Sequence, residues 1–214
     1  MNKIKVIIFD FDGVIVDSNS AYEHVFERLA KKHNVKIKKE EILHHFGEHP
    51  KHILKEIFHG DIDKIFDEYK KIITGRNFIR KIRLMAGAKK ELGKLKKKYT
   101  LALASGATKD TLFSILKKFA LEEYFSVILS GDDVKEAKPN PEMINKIMKK
   151  MKISKKEILY IGDAPNDVIA AKKAKVRIAV VLTGVLKKKE AREMKADYII
   201  KDISYIEGIL EKKQ

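Results

Sequence analysis

The chain has 214 residues, no cysteine, and a formal net charge of +16 from 46 Lys and Arg against 30 Asp and Glu. The lack of cysteine excludes disulfides and thiolate metal sites, and no apolar stretch approaches the ~20 residues that a membrane-spanning helix needs. Nothing resembles a signal peptide, so we expect a cytoplasmic protein without a membrane partner.

The excess of positive charge allows two interpretations. The lysines could bind the phosphates of a polyanion, or they could belong to a heat-adapted surface, for which Lys and Glu enrichment is typical. The lysine runs are spread along the chain, and no aromatic residues alternate with them as base stacking requires. We therefore expect a thermophilic, solvated surface rather than nucleic-acid binding, although a positive field also attracts small anionic substrates.

A short apolar run over residues 4–9 begins the chain, and Asp10, Asp12 and Gly13 follow it directly. A run rich in β-branched residues before a glycine turn predicts a buried strand. Carboxylates at the end of such a strand are costly unless they are paired or bind a metal. The two aspartates therefore indicate either a functional site or an ordinary turn.

Residues 17–83 contain apolar positions at helical spacing and no strand-like run. The first predicted helix has Ser18 or Ser20 as its N-cap and ends near Asn34. Further helices are predicted over 39–46, 50–58 and 62–83. We predict an all-helical cap domain over residues 17–83, inserted into a core domain of residues 1–16 and 84–214.

From residue 84 onward, short apolar runs alternate with helical patterns. The predicted strands cover residues 100–104, 127–129, 158–161, 178–182 and 198–200, in addition to 4–9. Such alternation predicts an α/β fold, a Rossmann-like parallel sheet with helices on both faces. Ligands of such sheets bind beyond the carboxyl ends of the strands.

Polar residues follow four of these strands, so they are predicted to meet at one edge of the sheet. They are Asp10 and Asp12, Ser105 and Gly106, Lys138, and Asp163 and Asp167. Two carboxylates ~4 Å apart repel by about 4 kcal/mol at an effective dielectric near 20, so this cluster needs a cation. Oxygen ligands without Cys or a nearby His favour Mg²⁺. The remaining hydroxyl, ammonium and backbone N–H groups suit phosphate oxygens.

These residues carry a resemblance to the haloacid dehalogenase-like (HAD) hydrolase superfamily that covers nearly the whole chain. DFDGVIVDS resembles the first family motif, LALASG the second, KPNPE the third and IGDAPNDVIAA the fourth. The helical insertion resembles the small cap of the phosphoglycolate phosphatase and β-phosphoglucomutase branch. The resemblance implies a Mg²⁺-dependent phosphatase that hydrolyses a small phosphorylated metabolite.

The resemblance also implies a role for each motif residue. Asp10 is expected to be the nucleophile that forms an aspartyl-phosphate. Asp12 is expected to act as general acid and then as base, with a raised pKa in the substrate complex. The expected Mg²⁺ ligands are Asp10, the main-chain carbonyl of Asp12, and Asp163, with Asp167 orienting a metal-bound water or Lys138. The expected phosphate-binding residues are Ser105, Gly106 and Lys138.

Three alternative functions compete with this interpretation. Dehalogenases of the family lack a second acid two residues after the nucleophile, so Asp12 argues against that reaction. Phosphomutases of the β-phosphoglucomutase type carry a His in the first cap helix, where Tyr22 stands here, and an Arg in the cap loop, which FGEHPKHIL lacks. His49, Lys51 or His52 could replace these contacts, so a mutase stays open. A basic nucleic-acid-binding protein on a HAD scaffold is disfavoured because every motif residue is present.

All seven histidines lie between His24 and His59. They are either scattered surface residues, or some of His44–His52 line the cap side of the cleft and contact the leaving group. His45, His49 and His52 would share one face of a continuous helix and could bind a transition metal, but Gly47 and Pro50 interrupt such a helix. We expect the cap to close over the site through linkers near residues 16–19 and 82–86. We expect the protein to be a monomer or a homodimer.

Overall fold

The computed structural model describes residues 3–211, which form a six-stranded parallel sheet and a separate two-stranded one. The strands are β1 (Val6–Phe9), β2 (Val16–Asp17), β3 (Arg83–Leu84), β4 (Thr100–Ala104), β5 (Val127–Leu129), β6 (Ile158–Gly162), β7 (Arg177–Val181) and β8 (Tyr198–Ile200). The large sheet has the order β5-β4-β1-β6-β7-β8, and all of its pairs are parallel. The predicted α/β fold class is confirmed, and the six predicted strands match within about two residues.

Five helices lie between β2 and β3 and are called the helical segment below. They are α1 (Asn19–Lys32), α2 (Lys39–His44), α3 (Pro50–Ile57), α4 (Ile62–Ile73) and α5 (Arg76–Lys81). The helical stretch predicted over 62–83 is confirmed as helical, but it divides into α4 and α5 because the chain leaves helical geometry at Gly75, which has φ −68° and ψ 143°. Strands β2 and β3 pair antiparallel at the two ends of the segment, with Val16 opposite Leu84. A division into two domains at this place stays a prediction.

Six further helices cover the two faces of the large sheet. They are α6 (Ala88–Lys96), α7 (Lys109–Phe119), α8 (Glu142–Met151), α9 (Pro165–Ala174), α10 (Lys188–Glu193) and α11 (Ile206–Glu211). Because side chains alternate along a strand, Ile7 and Phe9 of β1 join one hydrophobic cluster with α6, α7 and α11. Ile8 joins the other cluster, with α8, α9 and α10. Both faces are therefore buried, which explains the continuous apolar character of the strands.

The helical segment is packed against the core rather than separate from it. Its α1 side chains Val25 and Phe26 belong to the same apolar cluster as Phe9 and Phe11 of the first motif. Within residues 3–211, none of the helices has the length and apolar character that crossing a bilayer requires.

Candidate active site

The central position of β1 decides where the candidate site forms. β1 lies between β4 and β6, with Phe9 opposite Leu103 on one side and Ile161 on the other. The residues that follow these three strands, Asp10, Ser105 and Asp163, therefore emerge at one edge of the sheet. All three side chains are buried.

Lys138 joins the carboxylates at this edge. Its Nζ donates to Asp10 Oδ1 at 2.6 Å and to Asp167 Oδ1 at 2.8 Å, and it lies 3.4 Å from the Tyr160 hydroxyl. Lys138 exposes only 2 % of its surface. Burial alone would lower the pKa of Lys138, but the charges of Asp10 and Asp167 outweigh it and hold that pKa well above its usual value. The ammonium is therefore a fixed positive charge between two buried carboxylates.

Asp167 is held by protein donors on both oxygens. Its Oδ1 accepts from Lys138 and, at 3.1 Å, from the Tyr160 hydroxyl. Its Oδ2 accepts from the backbone N–H groups of Asp163 and Ala164, each at 3.1 Å. Four donors leave little room for a ligand, so the side chain fixes Lys138 and the loop that carries Asp163.

Tyr160 is a site residue that the sequence analysis missed. It lies in the middle of β6, where it was counted as one more buried strand residue. A fully buried tyrosine needs a partner for its hydroxyl, and here that partner is Asp167. The signal that the sequence offered was a tyrosine inside an otherwise apolar strand, whose hydroxyl requires a hydrogen-bond partner when it is buried.

Asp163 lies where two glycines allow very close approach of the backbone. A Cβ on Gly184 would lie 1.7 Å from Asp163 Oδ2, and one on Gly13 would lie 2.3 Å from the same atom. The backbone N–H of Val185 donates to Oδ2 at 3.0 Å. Burial, followed by the charges of Asp167 and Asp10, raises the pKa of Asp163 well above its usual value. The loop after β7, which carries Gly184 and Val185, was also not predicted as part of the site.

The three buried aspartates form a group that could hold a metal ion. Asp10, Asp163 and Asp167 each place one carboxylate oxygen within 4.8 Å of the others. Burial raises the pKa of Asp10 to about 8, although Lys138 acts in the opposite direction. Three carboxylates facing one ammonium leave an excess of negative charge, which a divalent cation with oxygen ligands would balance.

Asp12 lies beside this cluster and has its own partners. Its Oδ1 accepts from the Ser18 hydroxyl at 2.5 Å. Burial raises the pKa of Asp12, while the hydrogen bonds of Ser18 and Ser105 and the charge of Lys138 lower it less. Ser18 occupies the N-cap position of α1, as predicted, but its side chain makes no capping hydrogen bond.

Ser105 and Gly106 contact Asp12 and the helical segment, respectively. The Ser105 hydroxyl lies close enough to Asp12 to affect its pKa, and it accepts from the Ala107 backbone N–H at 3.1 Å. A Cβ on Gly106 would lie 2.4 Å from the Gly47 carbonyl oxygen and 2.7 Å from that of Glu48. Gly106 thus permits the loop between α2 and α3 to lie directly on the core.

A cavity of ≈ 40 Å³ separates the sheet edge from the helical segment. On the core side it is lined by Asp10, Asp12, Gly106, Ala107 and Asp163. On the other side its lining includes Tyr22, Phe26, Phe46, Glu48, Ile53 and Tyr69. The cavity is large enough for water but too small for a metabolite.

None of the described histidine side chains lines this cavity, but His49 and His52 line a wider cleft between the helical segment and the core, together with Lys138. A contact of these histidines with the leaving group therefore stays a prediction. His45 Nδ1 lies 3.2 Å from one oxygen of Glu48, and His52 Nδ1 lies 2.5 Å from the other. His49 Nδ1 accepts from the Lys51 backbone N–H at 3.2 Å, so its Nε2–H donates to Asp132 at 3.1 Å. The helix ends at His44 and resumes at Pro50, so these residues share no helix face. The side chain of His44 lies outside the described residues.

Two polar contacts join the helical segment to the core around the cavity. Asn166 at the start of α9 donates to Glu48 Oε1 at 3.0 Å and to the Phe46 carbonyl at 3.4 Å. On the other side His49 contacts Asp132, whose second oxygen accepts from the Lys109 backbone N–H at 2.6 Å. These contacts hold the segment closed over the sheet edge.

Comparison with known proteins places this geometry in a family. The family model for haloacid dehalogenase-like hydrolases matches residues 7–181. A protein of Caldanaerobacter subterraneus, provisionally named pyrophosphatase PpaX, is 30 % identical over 94 % of this chain and 92 % of its own. The phosphoglycolate phosphatase of Photorhabdus laumondii is 28 % identical over 80 % of this chain and 77 % of its own.

A solved structure gives the same result. The crystal structure of a predicted phosphoglycolate phosphatase from Haemophilus somnus has a TM-score of 0.83 to this chain, at 25 % identity over 98 % of this chain and 99 % of the other. The chain therefore belongs to the haloacid dehalogenase-like hydrolase family.

Proposed function

We propose that the protein is a Mg²⁺-dependent phosphatase that hydrolyses a small phosphorylated metabolite through an aspartyl-phosphate. The observation that carries this proposal is the buried cluster in which Lys138 bridges Asp10 and Asp167, with Asp163 beside them. The relatives named pyrophosphatase and phosphoglycolate phosphatase support a phosphate compound as the substrate.

The proposed chemistry takes place in two steps. An oxygen of Asp10 attacks phosphorus, the bond to the leaving-group oxygen breaks, and Asp12 protonates that oxygen. Asp12, now a carboxylate, then takes a proton from water, which attacks the phosphorus of the aspartyl-phosphate. Inorganic phosphate leaves and Asp10 is restored. The raised pKa of Asp12, caused by burial, supports a protonated acid for the first step.

The residues at the sheet edge fit a Mg²⁺ ion. Asp10 and Asp163 would hold it together with the main-chain carbonyl of Asp12, because Asp167 already has four protein donors around its oxygens. When bound, the ion supplies positive charge that offsets the negative charge of the phosphoryl group. Asp167 would act by fixing Lys138 and the loop of Asp163.

The phosphoryl group is proposed to bind to Ser105, the backbone N–H of Gly106, and Lys138. The Lys138 ammonium is already in place beside Asp10, so it can offset the repulsion between an anionic nucleophile and an anionic substrate. Because the closed cavity measures only ≈ 40 Å³, substrate entry requires the helical segment to move away. The paired linkers β2 and β3 are the proposed place of this motion.

A phosphomutase is the less favoured alternative. A mutase holds a second phosphate on the cap side, which calls for a cation there. Among the described residues, no Lys or Arg lines the cavity.

The proposal is tested by inorganic phosphate release from p-nitrophenyl phosphate. The wild type is expected to be active with Mg²⁺ and inactive after chelation, and Asp10→Asn should lose about 10⁴-fold or more of kcat. Asp110→Asn is the matched control, because Asp110 is an exposed carboxylate on α7, outside the candidate site and the proposed hinge. No activity in the wild type, or an Asp10→Asn variant as active as the wild type, would contradict the proposal.

A further inference from the structure

The wall that the helical segment contributes to the cavity contains one buried hydroxyl without a protein partner. No described residue forms a hydrogen bond with the Tyr22 hydroxyl. Tyr22 exposes 9 % of its surface, and its ring packs on Phe78 with the ring centroids 5.0 Å apart. A buried polar group left unsatisfied costs about 1–3 kcal/mol. Because Tyr22 lines the cavity with Asp10 and Asp12, its hydroxyl is available to a water in the closed cavity and to a substrate atom once the helical segment has admitted the substrate.

The Tyr22 hydroxyl can serve as a hydrogen-bond donor to that atom. Burial and the nearby charge of Asp12 raise the pKa of Tyr22 well above its usual value, so the phenol keeps its proton. Phe26, Phe46 and Ile53 in the same wall offer no acceptor. The polar residues that also line the cavity, Asn19, Tyr69 and the aspartates among them, form no hydrogen bond with the Tyr22 hydroxyl. The ligand atom that meets Tyr22 is therefore an oxygen that accepts a hydrogen bond.

Glu48 limits the charge of the group that carries this oxygen. Both of its carboxylate oxygens already have partners, Asn166 and His45 on one and His52 on the other. It therefore adds a negative charge to the wall without offering a free hydrogen-bonding atom. No Lys or Arg among the described residues lines the cavity to balance a second anionic group.

We propose that Tyr22 binds the leaving group of the substrate by donating a hydrogen bond to one of its oxygen atoms, and that this leaving group is small and uncharged, as in a polyol or sugar phosphate. The inference rests on the proposed phosphatase function and assigns the substrate class of the same site. The inference predicts that this protein does not prefer substrates whose leaving group is itself an anion.

Three phosphate compounds test the assignment. Glycerol 1-phosphate has an uncharged leaving group with hydroxyl oxygens, ethyl phosphate has an uncharged one without them, and pyrophosphate has an anionic one. The wild type should have its highest kcat/KM on glycerol 1-phosphate. Tyr22→Phe should lower that value about tenfold to a hundredfold and the value for ethyl phosphate by less than about threefold.

Two further measurements separate binding from a structural effect. The midpoint of thermal unfolding of Tyr22→Phe should equal or exceed that of the wild type, because the variant removes a hydroxyl without a protein partner. Glu48→Gln should raise kcat/KM on pyrophosphate relative to glycerol 1-phosphate by about tenfold, because it removes the negative charge.

The inference is overturned if Tyr22→Phe lowers kcat/KM on glycerol 1-phosphate and ethyl phosphate equally, or changes neither. A wild type that prefers pyrophosphate to glycerol 1-phosphate would also overturn it. These outcomes differ from a failure of the proposed function, in which no Mg²⁺-dependent, Asp10-dependent phosphate release occurs with any substrate.

Discussion

The two walls of the cavity differ in how their polar groups are satisfied. The core wall carries Asp10 and Asp163 directly after the ends of buried strands. Behind it, Lys138 is fixed between Asp10 and Asp167, which lies in the first turn of α9. The wall from the helical segment is mostly aromatic and aliphatic. Its charged residue, Glu48, contacts His45 and His52 of the same segment and Asn166 of the core. On the proposed function, we therefore expect phosphate chemistry at the sheet edge and selection among substrates at the wall of the helical segment.

The first prediction tests the role of Lys138, the cation behind the core wall. Lys138→Met leaves Asp10 and Asp167 buried without their ammonium. Loss of one partner of a buried ion pair typically costs about 3–5 kcal/mol, so the free energy of unfolding in urea should fall by that amount, and phosphatase activity should be lost. The control, Lys189→Met, breaks an exposed pair with Glu193 and should cost less than about 1 kcal/mol. Equal losses in both variants would contradict a special role for Lys138.

The second prediction concerns protons and metal in the core wall. Burial raises the pKa of Asp10 from 3.8 to about 8, so the folded protein binds this proton more tightly than the unfolded chain. The stability that this group contributes is therefore present below about pH 4 and is lost as the pH rises through about 8. Mg²⁺ should replace the proton, so it should stabilise the protein more at about pH 8.5 than at about pH 6.

The size of this stabilisation is set by mass action. At a Mg²⁺ concentration of about 100 times its Kd, the free energy of unfolding should rise by about 2.7 kcal/mol. Thermal unfolding with EDTA and with Mg²⁺ measures it, and Asp163→Asn should abolish most of the difference. A Mg²⁺ effect that is larger at low pH, or one that persists in Asp163→Asn, would show that the ion binds elsewhere.

The same contrast explains what the sequence could predict. The ends of parallel strands must meet at one edge, so Asp10, Ser105 and Asp163 could be placed from apolar runs alone. Tyr160 could not, because a tyrosine inside a buried strand looks like any other core residue until its hydroxyl partner is known. Gly184 was missed because its importance is a steric contact with Asp163, distant in the chain.

The helical segment was predicted less well for a physical reason. Helical periodicity locates α1 to α4, but the contacts of a side chain at a helix end depend on how the segment lies on the core. His49 is such a residue, since it caps α3 and reaches Asp132 of the core rather than the cavity. No local pattern encodes this pairing between residues 83 positions apart.

The third prediction tests the contact between the two walls. In Gly106→Ala, the new Cβ would lie 2.4 Å from the Gly47 carbonyl oxygen, and overpacking of this kind costs about 1–3 kcal/mol. Because the clash is with the loop of the helical segment, closure should suffer and kcat/KM should fall about tenfold to a hundredfold. Gly208→Ala is the control, since nothing lies within 4 Å of its Cβ position in α11. Similar activity in both variants would mean that closure does not use the Gly106 contact.

The smallest expected effect comes from the polar contact beside the cavity. His49→Asn keeps an acceptor for the Lys51 N–H but is too short to replace the Nε2–H bond to Asp132. That bond is worth about 0.5–1.5 kcal/mol, so KM should rise about threefold to tenfold with little change in kcat. The exposed His59→Asn is the control.

The pH dependence of the His49 contact provides an independent check. Burial, more than its contact with Asp132, sets the pKa of His49 and lowers it below 6.5, so the folded protein favours the neutral ring. The neutral ring is the form that accepts from Lys51 and donates to Asp132. Its contribution is therefore complete above about pH 6.5 and is lost as the pH falls below that value. The ratio of KM between His49→Asn and wild type should shrink from about pH 7.5 to about pH 5.5, and a constant ratio would show that the ring does not hold the helical segment closed.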